Sequence, residues 1–66
     1  MLPLLPFERI AKKAGVKRIS REAVEELRDT MDEYATEMAE KAVKVSFHAN
    51  RRTVKAEDIA FVVKGG

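Results

Sequence analysis

Residues 20–49 read SREAVEELRDTMDEYATEMAEKAVKVSFHA, a run with neither glycine nor proline. Within it Ala23, Val24, Leu27, Met31, Tyr34, Ala35, Met38, Ala42, Val43 and Val45 recur at helical spacing, which lines one side of an α-helix with apolar groups. Ser20 can accept an orphan amide at the start, and Glu22, Glu25 and Glu26 suit the positive end of the helix dipole. The stretch is predicted as one long helix from Ser20 to about Ala49. Met31, Tyr34 and Met38 belong to its apolar side, as core or as a seam between subunits.

Shorter elements flank it. Toward the N-terminus, Phe7, Ile10, Ala11 and Ala14 share one face of a helix from about Pro6 to Ala14. Pro6 suits its first position and Gly15 its C-terminal stop. Val16-Lys17-Arg18-Ile19 is then an extended linker. Toward the C-terminus, Asn50 can take the left-handed conformation that ends a helix, and Arg51-Arg52-Thr53-Val54 forms a second short loop. Thr53 or Val54 leads into a last helix from Lys55 to about Val63, apolar at Ala56, Ile59, Ala60, Val62 and Val63. The expected fold class is all-α, in the order short helix, loop, long central helix, loop, short helix, as one domain over residues 1–66.

Length bears on assembly. A 30-residue helix extends about 45 Å, whereas a compact chain of this size has a diameter of roughly 28 Å. The central helix overshoots any core its short neighbours could cover. Leaving its stripe wet would cost about 25 cal/mol per Å². Two copies crossing their long helices, each flanked by the other's short ones, would solve this; the alternative is a monomer with a broken central helix. Antiparallel crossing would set the loop near Arg18 of one copy beside the loop near Arg51 and Arg52 of the other.

Composition removes several functions. With 45% hydrophobic and 36% charged residues in 66, the chain is neither collagen-like nor of ordinary disordered composition. No apolar run approaches the length that spans a bilayer, so no membrane partner is expected. Met1–Phe7 is apolar but short, broken by prolines and preceded by no basic region, so it does not read as a signal peptide and a cytoplasmic location is expected. Cysteine is absent and His48 is the one histidine. Disulfides and thiolate metal sites are excluded, and no metal ion or cofactor is expected. With no cysteine, no second histidine, no Gly-rich phosphate loop and no pocket-sized core, no catalytic residue and no enzyme activity are expected.

Charge is unevenly distributed. Residues 1–21 set Arg9, Lys12, Lys13, Lys17, Arg18 and Arg21 against Glu8 alone, net +5. Residues 22–40 carry eight carboxylates against Arg28, net −7, and residues 41–66 return to net +4. Basic ends brought together would make a concentrated positive surface. The same charges also fit solvated helix faces and the helix dipole, with the acidic run facing solvent.

Pro6-Phe7-Glu8-Arg9-Ile10, then Ala14-Gly15-Val16-Lys17-Arg18-Ile19-Ser20, then Arg51-Arg52-Thr53-Val54-Lys55-Ala56-Glu57-Asp58-Ile59 closely resemble the archaeal histones, over nearly the whole chain and with matching spacing. The motif through Asp58 is specific; the middle of the long helix is not, beyond its periodicity. The resemblance implies the histone fold, an intertwined handshake dimer, and DNA wrapped around assemblies of dimers. By position, Arg9 matches a phosphate-contacting arginine and Arg18 a minor-groove arginine. Arg52 and Thr53 match a backbone-contacting pair, and Lys55 a basic residue at the start of the last helix. Arg51 and Asp58 match a salt bridge within the fold. Val45, His48, Asp58 and Phe61 match positions where dimers associate, with Phe47 close by.

Departures from the family are plain. Phe47 stands where relatives usually have a basic or small polar residue, Asn50 where Gly is common, and Lys13 where an acid is frequent. His48 alone makes no metal site; it reads as an interface hydrogen bond to Asp58 or as a helix-end cation. Phe47 reads as a buried anchor or as an exposed contact with the next dimer.

The expected partner is double-stranded DNA, bound with little sequence preference by a homodimer, or a heterodimer with another histone, that forms higher oligomers on the chromosome. Lys12, Lys13, Lys17, Arg21 and Lys55 would meet phosphate rather than bases, and no helix is built to read the major groove. The competing expectation is a histone-fold interaction subunit of a transcription or repair complex, which would not need the set Arg9, Arg18, Arg52, Thr53 and Lys55.

Overall fold

The helix boundaries follow from how each end satisfies its orphan amides and carbonyls. In a computed structural model, which describes residues 2–65, three helices follow in order: α1 (Leu5–Lys13), α2 (Arg21–His48) and α3 (Ala56–Val63). No strand occurs among the described residues. The architecture is all-α, with the short–long–short order that the periodicity predicts.

The stops share one device. At the end of α1, the Gly15 amide donates to the Lys12 carbonyl at 3.0 Å and the Val16 amide to Ala11 at 3.1 Å. Gly15 sits at φ +104°, a conformation nearly closed to residues with a Cβ. At the end of α2 the Asn50 amide donates to Phe47 at 3.0 Å and the Arg51 amide to Ser46 at 2.9 Å, with Asn50 at φ +58°. Asparagine is among the few side chains that tolerate this region, which is why it stops α2 without a glycine. Gly65, at φ +92°, follows α3, and its amide donates to the Val62 carbonyl at 3.1 Å.

The starts differ. α2 begins as predicted, with the Ser20 hydroxyl accepting the Ala23 amide at 3.1 Å. α1 begins one residue before the predicted Pro6. Leu4 offers no side-chain cap, and its carbonyl takes the Phe7 and Glu8 amides. Pro6 in the first turn has no N–H to leave unpaired. α3 begins one residue later than predicted, because Lys55 is extended, with φ −105° and ψ 163°, and lies just outside the helix.

By packing, the chain divides into two compact units, Met1–Glu33 and Tyr34–Gly66, with α2 continuous through the boundary. In the first unit Ala11 and Val24 are buried, and so is Arg28, only 8% exposed. In the second, Ala42 and Val62 are buried together with Ser46 and Asp58. Each buried apolar set is therefore made of small side chains. Leu5, Ile10, Met31, Tyr34, Val43, Phe47, Phe61 and Val63 all remain exposed.

Candidate nucleic-acid interface

In the first unit a cluster of cations spans the end of α1, the loop and the start of α2. Arg9, Lys12, Lys13, Lys17, Arg18 and Arg21 are all exposed. The two amide–carbonyl bonds at Gly15 and Val16 fix how the chain leaves α1, and the Ser20 cap fixes how it enters α2. Two of the cations are paired within their own helices: Lys12 with Glu8 at 3.4 Å and Arg21 with Glu25 at 3.2 Å. Such exposed pairs at four-residue spacing are weak and readily exchanged. Arg9, Lys13, Lys17 and Arg18 take part in no ion pair among the described residues.

The second unit treats its arginines differently. Arg51 donates two hydrogen bonds to Asp58, from Nη1 to Oδ2 at 2.9 Å and from Nη2 to Oδ1 at 2.7 Å. Its Nη1 also donates to the Thr53 carbonyl at 3.1 Å. Asp58 accepts the Lys55 amide at 2.8 Å as well, so one carboxylate ties the loop to the first turn of α3. The Arg51 hydrogen bonds, and then the Lys55 amide, lower the Asp58 carboxyl from its ordinary 3.8 to about 2. The Asp58 hydrogen bond in turn raises Arg51, which stays charged at any ordinary pH. Held by this clip, Arg52, Thr53 and Lys55 are exposed.

The residues matched to dimer association differ in exposure. Val45 is half-buried and Phe47 is 78% exposed; two residues apart on a helix, they stand about 160° apart around its axis. His48 and Phe61 are exposed. Asp58 is only 2% exposed, and its oxygens already accept N–H groups of its own chain. This geometry commits the carboxylate to the clip.

Arg28 is the residue whose role the sequence reading did not reach. The one cation among eight carboxylates, it is buried, with Nε 2.9 Å from Asp29 and a longer 3.5 Å contact from Nη1 to the Leu2 carbonyl. It falls four residues after Val24 on the apolar side of α2, and that spacing was the available signal. Its chemistry is structural. Among the described residues no three metal-ligating side chains cluster, and no helix is long and apolar enough to cross a membrane.

A family of histone-like transcription factors (CBF/NF-Y) and archaeal histones matches residues 1–63. The chain belongs to this family. It is 44% identical over 63 residues to one of the chains of archaeal histone HAN1 of Thermococcus zilligii, covering 96% of this chain and 94% of that one. It is 42% identical over 64 residues to probable archaeal histone 3 of Methanocaldococcus jannaschii, covering 97% and 96%. Histone H4 of Dictyostelium discoideum is 39% identical over 58 residues, or 88% of this chain and 54% of that protein. The three helices are those of a histone fold, and the protein is a histone-family protein rather than an enzyme.

Proposed function

We propose that the chain works as an archaeal histone: one histone-fold domain that dimerises by the handshake and wraps double-stranded DNA with little regard to sequence. The observation that carries this reading is the pairing of two exposed basic loops with two unfinished cores. Each unit buries only small apolar groups of its own and exposes large ones, including Ile10 and Tyr34. A second copy crossing α2 antiparallel would cover those groups and would bring the first loop of one copy beside the second loop of the other.

In that dimer Arg18 reaches toward the minor groove, where a narrow groove concentrates negative potential. Arg9, Lys12, Lys13, Lys17, Arg21, Lys55, Arg52 and Thr53 hold phosphates and displace counterions. The Arg51–Asp58 clip keeps the second loop in shape without spending Arg51 on DNA. Dimers associate further along the duplex, on the chromosome in the cytoplasm; a second histone chain can replace one copy without changing these contacts.

Nuclease digestion of long duplex DNA reconstituted with increasing protein tests the reading. Regularly spaced protected fragments are expected. Protection should fall steeply with salt, because neutralising Z phosphates gives a log–log affinity slope of about −0.9Z. No protection at low salt would contradict DNA wrapping and favour the competing reading, a histone-fold interaction subunit of a transcription or repair complex, in a family whose description also names histone-like transcription factors.

A further inference from the structure

In the first unit, α1, the loop and the start of α2 border a groove of about 410 Å³, lined by Leu4, Leu5, Glu8, Ile19, Arg21 and Val24. Buried Arg28, one turn after Val24, reaches the Leu2 carbonyl at 3.5 Å and so ties the segment that carries Leu4 to α2. Leu5 is 53% exposed and Leu2 40%, so apolar surface stays in water here, as it does at contact sites for other molecules.

The groove lies away from the face that the proposed handshake would cover. On α1, Leu5 and Glu8 stand about 140° and 160° around the axis from Ile10. On α2, Val24 and Arg21 stand about 60° and 120° from Leu27. A second copy covering Ile10 and Leu27 would leave the groove open. Cations surround it. Arg9 and Lys12 lie within about 40° of Leu5 around α1, Lys17 and Arg18 directly precede Ile19, and Arg21 is part of the lining. All five are exposed. Arg9, Lys17 and Arg18 enter no ion pair among the described residues, while Glu8 and Glu25 are already engaged by Lys12 and Arg21.

We propose that this groove docks an acidic protein segment with aliphatic side chains among its carboxylates, and that the segment and DNA exclude each other there. The aliphatic groups enter between Leu4, Leu5, Ile19 and Val24, and the carboxylates meet Arg9, Lys17 and Arg18. Duplex DNA would answer the cations but leave the apolar lining wet. A basic segment would be repelled, and a single anionic head group cannot meet cations spread over two helices and a loop. The docking itself does not depend on DNA; the exclusion rests on the proposed reading that these same cations hold phosphate.

Fluorescence anisotropy of two short synthetic peptides against the full chain tests it. Both peptides are built of aspartate and glutamate; one carries a leucine pair at its centre and the other serines in their place. The leucine peptide is expected to bind the wild type about tenfold more tightly and to displace duplex DNA at correspondingly lower concentration. In Leu5→Ser, checked as helical by circular dichroism, that preference should vanish while the serine peptide binds as before. In Arg18→Ala both peptides should weaken together. Equal binding of the two peptides by the wild type overturns the proposal, as does a leucine preference that survives Leu5→Ser. A sedimentation mass that falls in Leu5→Ser without any peptide gives the groove to a second copy and overturns it too. Leucine-dependent binding that leaves DNA in place supports the docking, overturns the exclusion and counts against DNA at the first loop.

Discussion

The two loops solve the same problem with opposite use of arginine. Both follow a helix that ends on a left-handed residue, Gly15 in one and Asn50 in the other. After Gly15 the loop is closed by a neutral hydroxyl, that of Ser20, and its cations Lys17 and Arg18 stay unpaired in water. After Asn50 the loop is closed by a carboxylate three residues into α3, and Arg51 is consumed in holding it. The first loop leaves its arginine free, whereas the second locks one arginine and leaves the next exposed.

That contrast breaks most visibly at Asp58. Asp58→Asn replaces a bidentate acceptor with an amide and leaves Arg51 a cation without its counter-ion, so it should produce the largest stability loss in the series, read by thermal melting. The pH dependence has a definite sign. The folded carboxyl sits at about 2, below its ordinary 3.8, so its contribution is fully present above about pH 4 and is lost as pH falls toward 2. Asp58→Asn should remove that acid-limb loss, and an unchanged acid limb would show that the clip is not what titrates.

The first loop should respond in the other way. Arg18→Ala is expected to change stability by less than about 0.5 kcal/mol while weakening duplex DNA binding on the order of tenfold and flattening its salt dependence. A stability loss comparable to that of Asp58→Asn would erase the distinction between the loops. Ser20→Ala sharpens it: removing the hydroxyl cap should cost about 1 kcal/mol in urea denaturation. Glu25→Gln, which breaks only the exposed pair with Arg21, should cost about 0.5 kcal/mol or less.

Much of this organisation was legible in the sequence because helix ends are chemically marked. Ser20, Gly15 and Asn50 are residues whose side chains, or lack of one, solve a specific backbone problem, and they mark the boundaries of α2 and the end of α1. The start of α1 was less legible because Leu4 caps nothing; it is recognised only from the carbonyl it offers. The start of α3 was displaced by one residue because its cap is supplied from inside the helix by Asp58, a long reach that composition does not reveal. Burial of Arg28 was hidden by its sign, since a cation in an acidic run reads as surface charge until its place on the apolar side is counted. Phe47 left two readings open, and its position off the main stripe of α2 fits its exposure. The exposed cations were legible as a group, but the sequence marks none of them off from an idle surface charge, because exposure is common to both.

The central claim is that the first loop of one copy lies beside the second loop of another. The absence of native cysteine makes it directly testable. Lys17→Cys and Arg52→Cys chains, prepared separately and then refolded together, are treated with a short thiol–thiol cross-linker. The account predicts a covalent dimer containing one chain of each kind, abundant in the mixture and scarce when either variant is refolded alone. Equal cross-linking of each variant with itself, or none in the mixture while both remain helical, would contradict it.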